Sequence, residues 1–421
     1  MIPALFVNYF AERTRESPIN LAGARIVLGS YILWRGASID VRALTEWPVH
    51  FITYLSFTHP PDGFEWVLIV EKFLLLVGTL FFIIGYRTRI SSFIVGALFS
   101  HLTGVMRVMN LGGETDQMAL GALCVFLFGL YCEQDELSVD GIRRTGRLSM
   151  KTLNERLQRP DDGRFSMTSL KLILLTLGIS YAASPVARFF NPGWLAWASA
   201  DNFARFLLVD GNELGLPGFD IIVNAPYLLT LFAVLTLVVE AGLLLSALTR
   251  LPITPMVIGL FGMHTAIALT VGLFFLDMFF FLLLLLSFDR IHASLSADRE
   301  IDVVYDGNCY FCARSLQPFK LIDTKGSISW YNQYTAPDSY LDDERVDVEA
   351  RMYVFVNGKP YGGYDAFQQL FKQFPETVPI SMAMSIPPVA AVGERLYRYI
   401  AANRSRHFKC SVSTQFENQE D

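Results

Sequence analysis

Long apolar runs separated by short polar segments fill the first 290 residues of the chain. An apolar helix of about 20 residues is long enough to cross a bilayer. Eight spans are predicted, at 19–36, 64–86, 90–109, 115–132, 168–189, 226–249, 254–272 and 273–288. The last run is the shortest and is separated from its neighbour only at Gly272. The alternative is therefore seven spans with one re-entrant segment.

Beyond residue 300 the pattern changes to short β-branched runs and amphipathic segments, which indicate a small α/β layer. The predicted elements are strands at 301–305, 328–333 and 351–357, and helices at 310–323, 364–374 and 389–403. The chain is therefore predicted to be a polytopic α-helical membrane bundle of about eight spans, followed by a small α/β domain. The predicted division is a membrane domain at 1–290, a polar linker at 291–300, the α/β domain at 301–410, and a disordered acidic tail at 411–421.

Composition agrees with a membrane protein, because 52% of the 421 residues are hydrophobic and only 18% are charged. Acidic residues slightly outnumber basic ones, 40 to 34, and no dense basic stripe is present. Nucleic-acid binding therefore has no support. The expected partners are membrane lipid, a thiol redox protein and another membrane protein.

Basic residues predict the orientation. They cluster before the first span, between the second and third, and between the fourth and fifth, where seven lie between Arg143 and Arg164. All these segments fall on one side if the spans alternate, and that side is cytoplasmic by the positive-inside rule. We therefore expect a multi-pass protein of the inner membrane with both termini in the cytoplasm. A dithiol in that reducing compartment is more often catalytic than structural.

The candidate chemistry lies where a β-branched strand runs through an Asp-Gly turn into Cys309-Tyr-Phe-Cys312 and then a helix. At the first helical turn, unpaired N–H groups and the helix dipole favour the thiolate of Cys309. Cys312 is close enough to resolve a mixed disulfide. The pattern predicts Cys309 as the attacking thiolate, Cys312 as the resolving thiol, and Asp306 as a residue that holds the loop or relays a proton.

Three parts of this region together resemble the DCC family of thioredoxin-like thiol–disulfide oxidoreductases. Tyr305-Asp306-Gly307 leads into the dithiol, Gly363-Tyr-Asp-Ala366 follows a later strand, and residues 396–404 close the domain. The resemblance covers about residues 301–410. It implies a thioredoxin-like fold and disulfide exchange with a cytoplasmic thiol partner.

The same cysteines allow two other interpretations. His407 and Cys410 could complete a tetrahedral zinc site with Cys309 and Cys312. Alternatively, the two cysteines of the Cys-x-x-Cys are buried structural residues. If the domain does not cycle between dithiol and disulfide, the chain is better described as a non-catalytic carrier or an assembly subunit with a docking domain.

Ionisable residues within the apolar spans are a second group of candidates, since charge at membrane depth is costly and usually functional. His101, His264 and Glu240 lie inside spans, and Arg107 and Arg25 are placed to neutralise carboxylates. Each could equally be part of a hydrogen bond that only holds helices together. The remaining candidates are Asn110 and Asp116 in a polar turn, with Glu71 and Asp277 also within spans.

The order of these residues resembles the HTTM family, a membrane domain related to vitamin K-dependent γ-carboxylase. The similarity rests on Asn110-x-Gly-Gly-x-x-Asp116, on Glu240 followed by Arg250 and Pro252, and on His264 ahead of a Phe-rich span. It covers about residues 15–290. It implies a bundle that binds a quinone or another lipid, because the carboxylase couples oxidation of a reduced quinone to proton abstraction.

Overall fold

The protein forms two compact units, each built from two separate stretches of chain. The computed structural model describes residues 17–42, 64–108, 115–132, 135–159, 167–191, 193–211, 224–342 and 344–407. The first unit consists of residues 1–140 and 165–288, and the second of residues 141–164 and 289–421. Residues 141–164, which the sequence places within the membrane domain, thus belong with the α/β domain.

The secondary-structure elements described in the first unit are helices. They are α1 (Pro18–Ser38), α2 (Phe64–Ile84), α3 (Thr88–Val108), α4 (Thr115–Leu130), α7 (Thr168–Phe190), α8 (Trp194–Trp197), α9 (Ala200–Gly211), α10 (Pro226–Leu248), α11 (Ile253–Val271) and α12 (Leu276–Leu283). Five of them, α2, α3, α7, α10 and α11, are long and apolar enough to cross a membrane.

Three of the eight predicted spans do not form long apolar helices. The first is a helix of full length, but α1 carries Arg25 and Arg35. The fourth forms α4, which has 16 residues, and the eighth forms α12, which has eight. Gly272 separates α11 from α12 in a left-handed conformation with φ of 72°, which suits a residue without a side chain. By length and composition the structure therefore supports five spans.

Two buried ion pairs hold α1 in its unit. Arg25 is 3% exposed and pairs with Asp135, and its guanidinium also donates to the carbonyl oxygens of Ile83 at 3.1 Å and Leu137 at 2.9 Å. Arg35 donates from Nε and Nη2 to the two carboxylate oxygens of Asp277, at 2.7 and 2.6 Å. A buried charge is tolerated only when it is paired and hydrogen-bonded. These arginines therefore position α1 inside the helical unit.

The second unit has one four-stranded sheet in the order β2-β1-β3-β4. Strand β1 pairs with β2 in parallel and with β3 in antiparallel, and β3 pairs with β4 in antiparallel. The strands are β1 (Ile301–Tyr305), β2 (Ile328–Asn332), β3 (Tyr353–Val356) and β4 (Lys359–Gly362). The helices are α6 (Met150–Gln158), α14 (Tyr310–Ile322), α15 (Asp338–Leu341), α16 (Tyr364–Phe371), α17 (Val378–Met384) and α18 (Pro387–His407). Two more helices, α5 (Val139–Thr145) and α13 (Phe288–Leu295), contain the boundaries between the units.

Strand alternation places the main core on one face of the sheet. Ile301, Val303 and Tyr305 point to that face, and Val304 points to the other. Helices α6, α14 and α16 all contribute side chains to the first face. Leu153 and Leu157, four residues apart on α6, are fully buried there. A helix from the loop that follows α4 is thus part of the core of the second unit.

Most of the predicted elements of the second unit lie close to their observed positions, and the structure adds α6, α15, α17 and a fourth strand. The third strand is shorter than predicted, and the Asn357-Gly358 turn, with φ of 51° and 75°, reverses the chain into the unpredicted β4. Asn-Gly is a strong hairpin signal. The first residues of the predicted linker at 291–300 belong to the end of α13. Its later backbone is held by the buried Gln373, whose Nε2 donates to the carbonyl oxygen of Arg299 at 2.8 Å.

His292 on α13 also binds the body of this unit. Its Nε2 lies 3.0 Å from a carboxylate oxygen of Glu376, and its ring stacks on Phe374. Partial burial opposes ionisation of Glu376, but the hydrogen bond with His292 helps to outweigh it and lowers the pKa of that carboxyl. The segment 289–300 is therefore a structured part of the unit.

Candidate functional site

The dithiol lies at the junction of β1 and α14, where the sequence places it. Cys309 is the N-cap residue of α14, with extended backbone, and its Sγ accepts a hydrogen bond from the backbone N–H of Cys312 at 3.2 Å. This bond satisfies one of the N–H groups that a helix leaves unpaired at its start. The same helix start stabilises negative charge on the sulfur.

The two sulfurs are arranged for exchange. Cys309 and Cys312 are not joined by a disulfide, their Sγ atoms are 2.7 Å apart, and they are 8% and 7% exposed. A disulfide bond is about 2.05 Å long, so oxidation would require little movement of either side chain. A reacting partner would reach the sulfurs only through a small opening.

Asp306 and Gly307 shape the loop ahead of Cys309. The carboxylate of Asp306 accepts a hydrogen bond from the backbone N–H of Asn308 at 2.9 Å, and its carbonyl oxygen accepts from the N–H of Cys309 at 3.1 Å. A Cβ on Gly307 would lie 2.9 Å from Cβ of Asn332, so a side chain there would displace the loop. Asp306 therefore contacts the backbone of the loop, and its two predicted roles, holding the loop or relaying a proton, stay predictions.

Residues between α4 and α7 form hydrogen bonds with the segment that carries the dithiol. Asn154 on α6 donates from Nδ2 to the carbonyl oxygen of Gly307 at 2.8 Å. The hydroxyl of Tyr310 donates to the carbonyl oxygen of Gly146 at 2.6 Å. Gln317 donates from Nε2 to the carbonyl oxygen of Leu153 at 2.9 Å. Three hydrogen bonds therefore connect 141–159 to the loop and helix that carry the cysteines.

This contribution was not predicted, because the seven basic residues from Arg143 to Arg164 indicate only a cytoplasmic loop. A local signal was present. Ser149 caps α6 through a hydrogen bond from the backbone N–H of Thr152 at 3.2 Å, and Leu153 and Leu157 form an apolar pair at helical spacing. A cap followed by such a pair is typical of a short amphipathic helix that packs on a core.

An apolar groove lies beside Cys312. Its most prominent residues are Phe311, Met352, Phe367 and Tyr397, and the backbone N–H of Met352 donates to the hydroxyl of Tyr397 at 3.3 Å. The other lining residues are Ser315, Ile400 and Ala401. A groove with this lining favours an apolar side chain next to the cysteine of a reacting partner.

The alternative zinc site is only partly within the described residues. The side chain of His407 and all of Cys410 lie outside them. Among the side chains that the structure describes, no three from His, Cys, Asp and Glu are grouped as metal ligands. The zinc interpretation of these four residues stays a prediction.

The ionisable candidates of the first unit are paired between neighbouring helices. His101 on α3 lies 2.8 Å from a carboxylate oxygen of Glu71 on α2, with half of its side chain exposed. Arg107 pairs with Asp116, both largely exposed. Asn110 lies outside the described residues.

Glu240 and His264 both contact helix α7. Arg188 donates from Nη1 to Glu240 at 2.6 Å, and the hydroxyl of Tyr181, about two turns earlier on α7, lies 3.0 Å from Nε2 of His264. The Nδ1 atom of His264 is buried and has no hydrogen-bond partner. Rings of Phe275 and Phe279 surround the same imidazole. Glu240 on α10 and His264 on α11 therefore both contact α7, whereas His101 on α3 contacts Glu71 on α2.

Comparison with known proteins supports the predicted family resemblance of the second unit. A family model described as DCC1-like thiol-disulfide oxidoreductase matches residues 303–410. The resemblance of residues 15–290 to the HTTM family has no such match. No curated protein and no solved structure matches the chain significantly.

Proposed function

We propose that the protein is an integral membrane thiol–disulfide oxidoreductase whose reaction takes place at Cys309 and Cys312. One observation carries the proposal: Cys309 caps α14 and has the Cys312 sulfur 2.7 Å away, behind an apolar groove. The family match over 303–410 supports the same chemistry.

The reaction has two balanced steps. The Cys309 thiolate attacks one sulfur of a substrate disulfide, which forms a mixed disulfide and releases the other substrate sulfur as a thiolate. The Cys312 thiolate then attacks Sγ of Cys309, which releases the second substrate thiol and leaves a Cys309–Cys312 disulfide. Two electrons have passed to the substrate. A cytoplasmic thiol protein would restore the dithiol by the same exchange in reverse.

A redox titration of the full chain tests this proposal. We expect Cys309 and Cys312 to lose reactivity toward an alkylating reagent together, because they form one two-electron couple with a slope of about 30 mV per tenfold change. Mass spectrometry of alkylated peptides would measure this, and Cys410 serves as the internal control. Stoichiometric zinc together with no redox change at Cys309 and Cys312 would favour the docking or zinc-binding alternative.

The first unit is proposed to hold the protein in the cytoplasmic membrane, with both termini in the cytoplasm. The five long apolar helices are consistent with membrane insertion, and the distribution of arginines supports the orientation. A small hydrophobic anchor would need one helix, yet this unit contains buried ion pairs and a buried histidine, which are costly at membrane depth.

We further propose that His264 binds the polar group of a quinone or another lipophile in the bundle, with Glu240 nearby on α10. The buried Nδ1 of His264 has no hydrogen-bond partner, and aromatic rings such as that of Phe275 lie next to the imidazole. These surroundings suit an apolar ligand that carries a carbonyl group. If the Tyr181 hydroxyl donates to Nε2, then Nδ1 carries the proton and can donate it to a ligand oxygen. His101, Asp116, Asn110 and Arg107 stay candidates for the same domain.

A binding experiment with matched variants tests this second site. We expect His264→Ala and Glu240→Gln to lower retention of copurified quinone or lipid severalfold, while reduction of a small soluble disulfide is unchanged. Thr265→Ala is the control, because Thr265 is exposed on the same helix and its hydroxyl bonds only to the backbone of Phe261. Equal ligand retention in all three variants would reduce the unit to an anchor.

A further inference from the structure

Helix α18 exposes a stripe of large apolar side chains that the second unit does not cover. Val389, Val392, Leu396 and Tyr399 follow one another at intervals of three, four and three residues, so they share one face. Val392 is 65% exposed and Tyr399 is 66% exposed. Tyr397, which follows Leu396 and lies about 100° further around the helix, faces the domain and lines the groove next to Cys312, and Ile400 between the two also lines it. The stripe therefore borders the groove along one side of the same helix.

Positive charge borders this stripe. Arg395 and Arg398 are exposed along one side of it. Residues 378–407 contain four arginines and a single acidic residue, Glu394, which lies 3.5 Å from Arg398. Two exposed residues just before the helix, Met382 and Ile386, extend the apolar surface. A helix with an apolar face and flanking arginines is typical of segments that lie in a membrane interface.

We propose that α18 lies on the surface of an anionic phospholipid bilayer. The stripe would enter the boundary between headgroups and acyl chains, and Arg395 and Arg398 would contact lipid phosphates while their stems cover apolar surface. Charge complementarity favours the cytoplasmic leaflet, which is the anionic one. The proposal rests on the proposed membrane placement of the first unit, because that unit keeps the second one within reach of a bilayer.

Lipid fits this surface better than a second protein does. The cores of protein interfaces are depleted in charge and carry packed aromatic anchors, whereas this stripe is mostly aliphatic and has arginines along its length. Tyr397, Ile400 and Ala401 of α18 line the groove, so a bilayer contact would also fix the helix that forms one wall beside Cys312.

A depth measurement on the full chain tests the proposal. Cys309, Cys312 and Cys410 are replaced by serine, and an environment-sensitive fluorophore is attached at Val392→Cys or, as a control on the exposed end of β4, at Lys359→Cys. The protein is reconstituted into vesicles of phosphatidylcholine with or without phosphatidylglycerol, each containing a doxyl-labelled lipid that quenches only nearby fluorophores.

We expect the label at 392 to be quenched about threefold more than the label at 359 in phosphatidylglycerol vesicles. Arg395→Glu combined with Arg398→Glu should bring that quenching close to the control value. Quenching at 392 no greater than at 359 would overturn the proposal, as would a blue-shifted emission without lipid quenching, which would show that protein covers the stripe. Equal quenching with and without phosphatidylglycerol would overturn the role of the arginines. Failure of the full chain to float with vesicles would instead overturn the membrane placement.

Discussion

Cys309→Ser should reduce turnover of a disulfide substrate by the full chain to the background rate, and Cys312→Ser should accumulate a mixed disulfide instead. Serine at 309 removes the nucleophile at the start of α14, where the helix N–H groups favour the thiolate. Serine at 312 leaves that nucleophile but removes the sulfur that resolves the intermediate. Turnover is measured with a small disulfide, and the trapped adduct by non-reducing electrophoresis and mass spectrometry.

Cys410→Ser is the matched control for this pair. It should retain turnover, because the exchange steps need only Cys309 and Cys312. Turnover that persists in Cys309→Ser would remove the assigned nucleophile. Loss of both turnover and bound zinc in Cys410→Ser would favour the zinc interpretation.

Leu153→Ala combined with Leu157→Ala should unfold the dithiol unit, although both residues precede β1 by more than a hundred positions. Both side chains are fully buried in the core that Cys309 and Cys312 share. A buried Leu→Ala change costs about 2–5 kcal/mol, and a domain has a free energy of unfolding of roughly 5–15 kcal/mol. The two changes together would cost about 4–10 kcal/mol, which is comparable with the whole stability of a typical domain.

Limited proteolysis of the full chain in detergent measures this effect, with cleavage between residues 301 and 407 as the readout. Lys151→Ala is the control, since Lys151 is exposed on the same helix. Its cleavage rate should match that of the unmodified protein. Unchanged protease resistance in the double leucine variant would show that α6 contributes little to the core.

The dithiol segment was predictable because its signals are local. The β-branched strand, the Asp306-Gly307 turn and the spacing of Cys309 and Cys312 all lie within about a dozen residues. The part played by Asn154 was not predictable in this way. Its hydrogen bond to Gly307 joins positions far apart in sequence, and surrounding arginines make its segment resemble a solvated loop.

Three of the eight predicted spans do not form helices that are long and apolar enough to cross a membrane in the described residues, for a different reason. Apolar runs show which segments avoid water, but not whether each is surrounded by lipid or by protein. In α1, Arg25 and Arg35 have buried acidic partners at Asp135 and Asp277, far along the chain, so their cost is offset inside the unit. The eight residues of α12 illustrate the same limit, because the Phe-rich sequence was apolar enough but the helix is too short.

The division of the second unit into two stretches of chain constrains its biosynthesis. Helix α6 ends at Gln158 and β1 begins at Ile301. About 140 residues are translated between them, which takes roughly 7–30 s at ribosomal rates of 5–20 residues per second. During that interval Leu153 and Leu157 have no sheet to cover them, so the ribosome-bound chain presents an apolar pair that chaperones could bind. The unit can close only after the last third of the protein has been made, which makes its assembly vulnerable to translation that stops early.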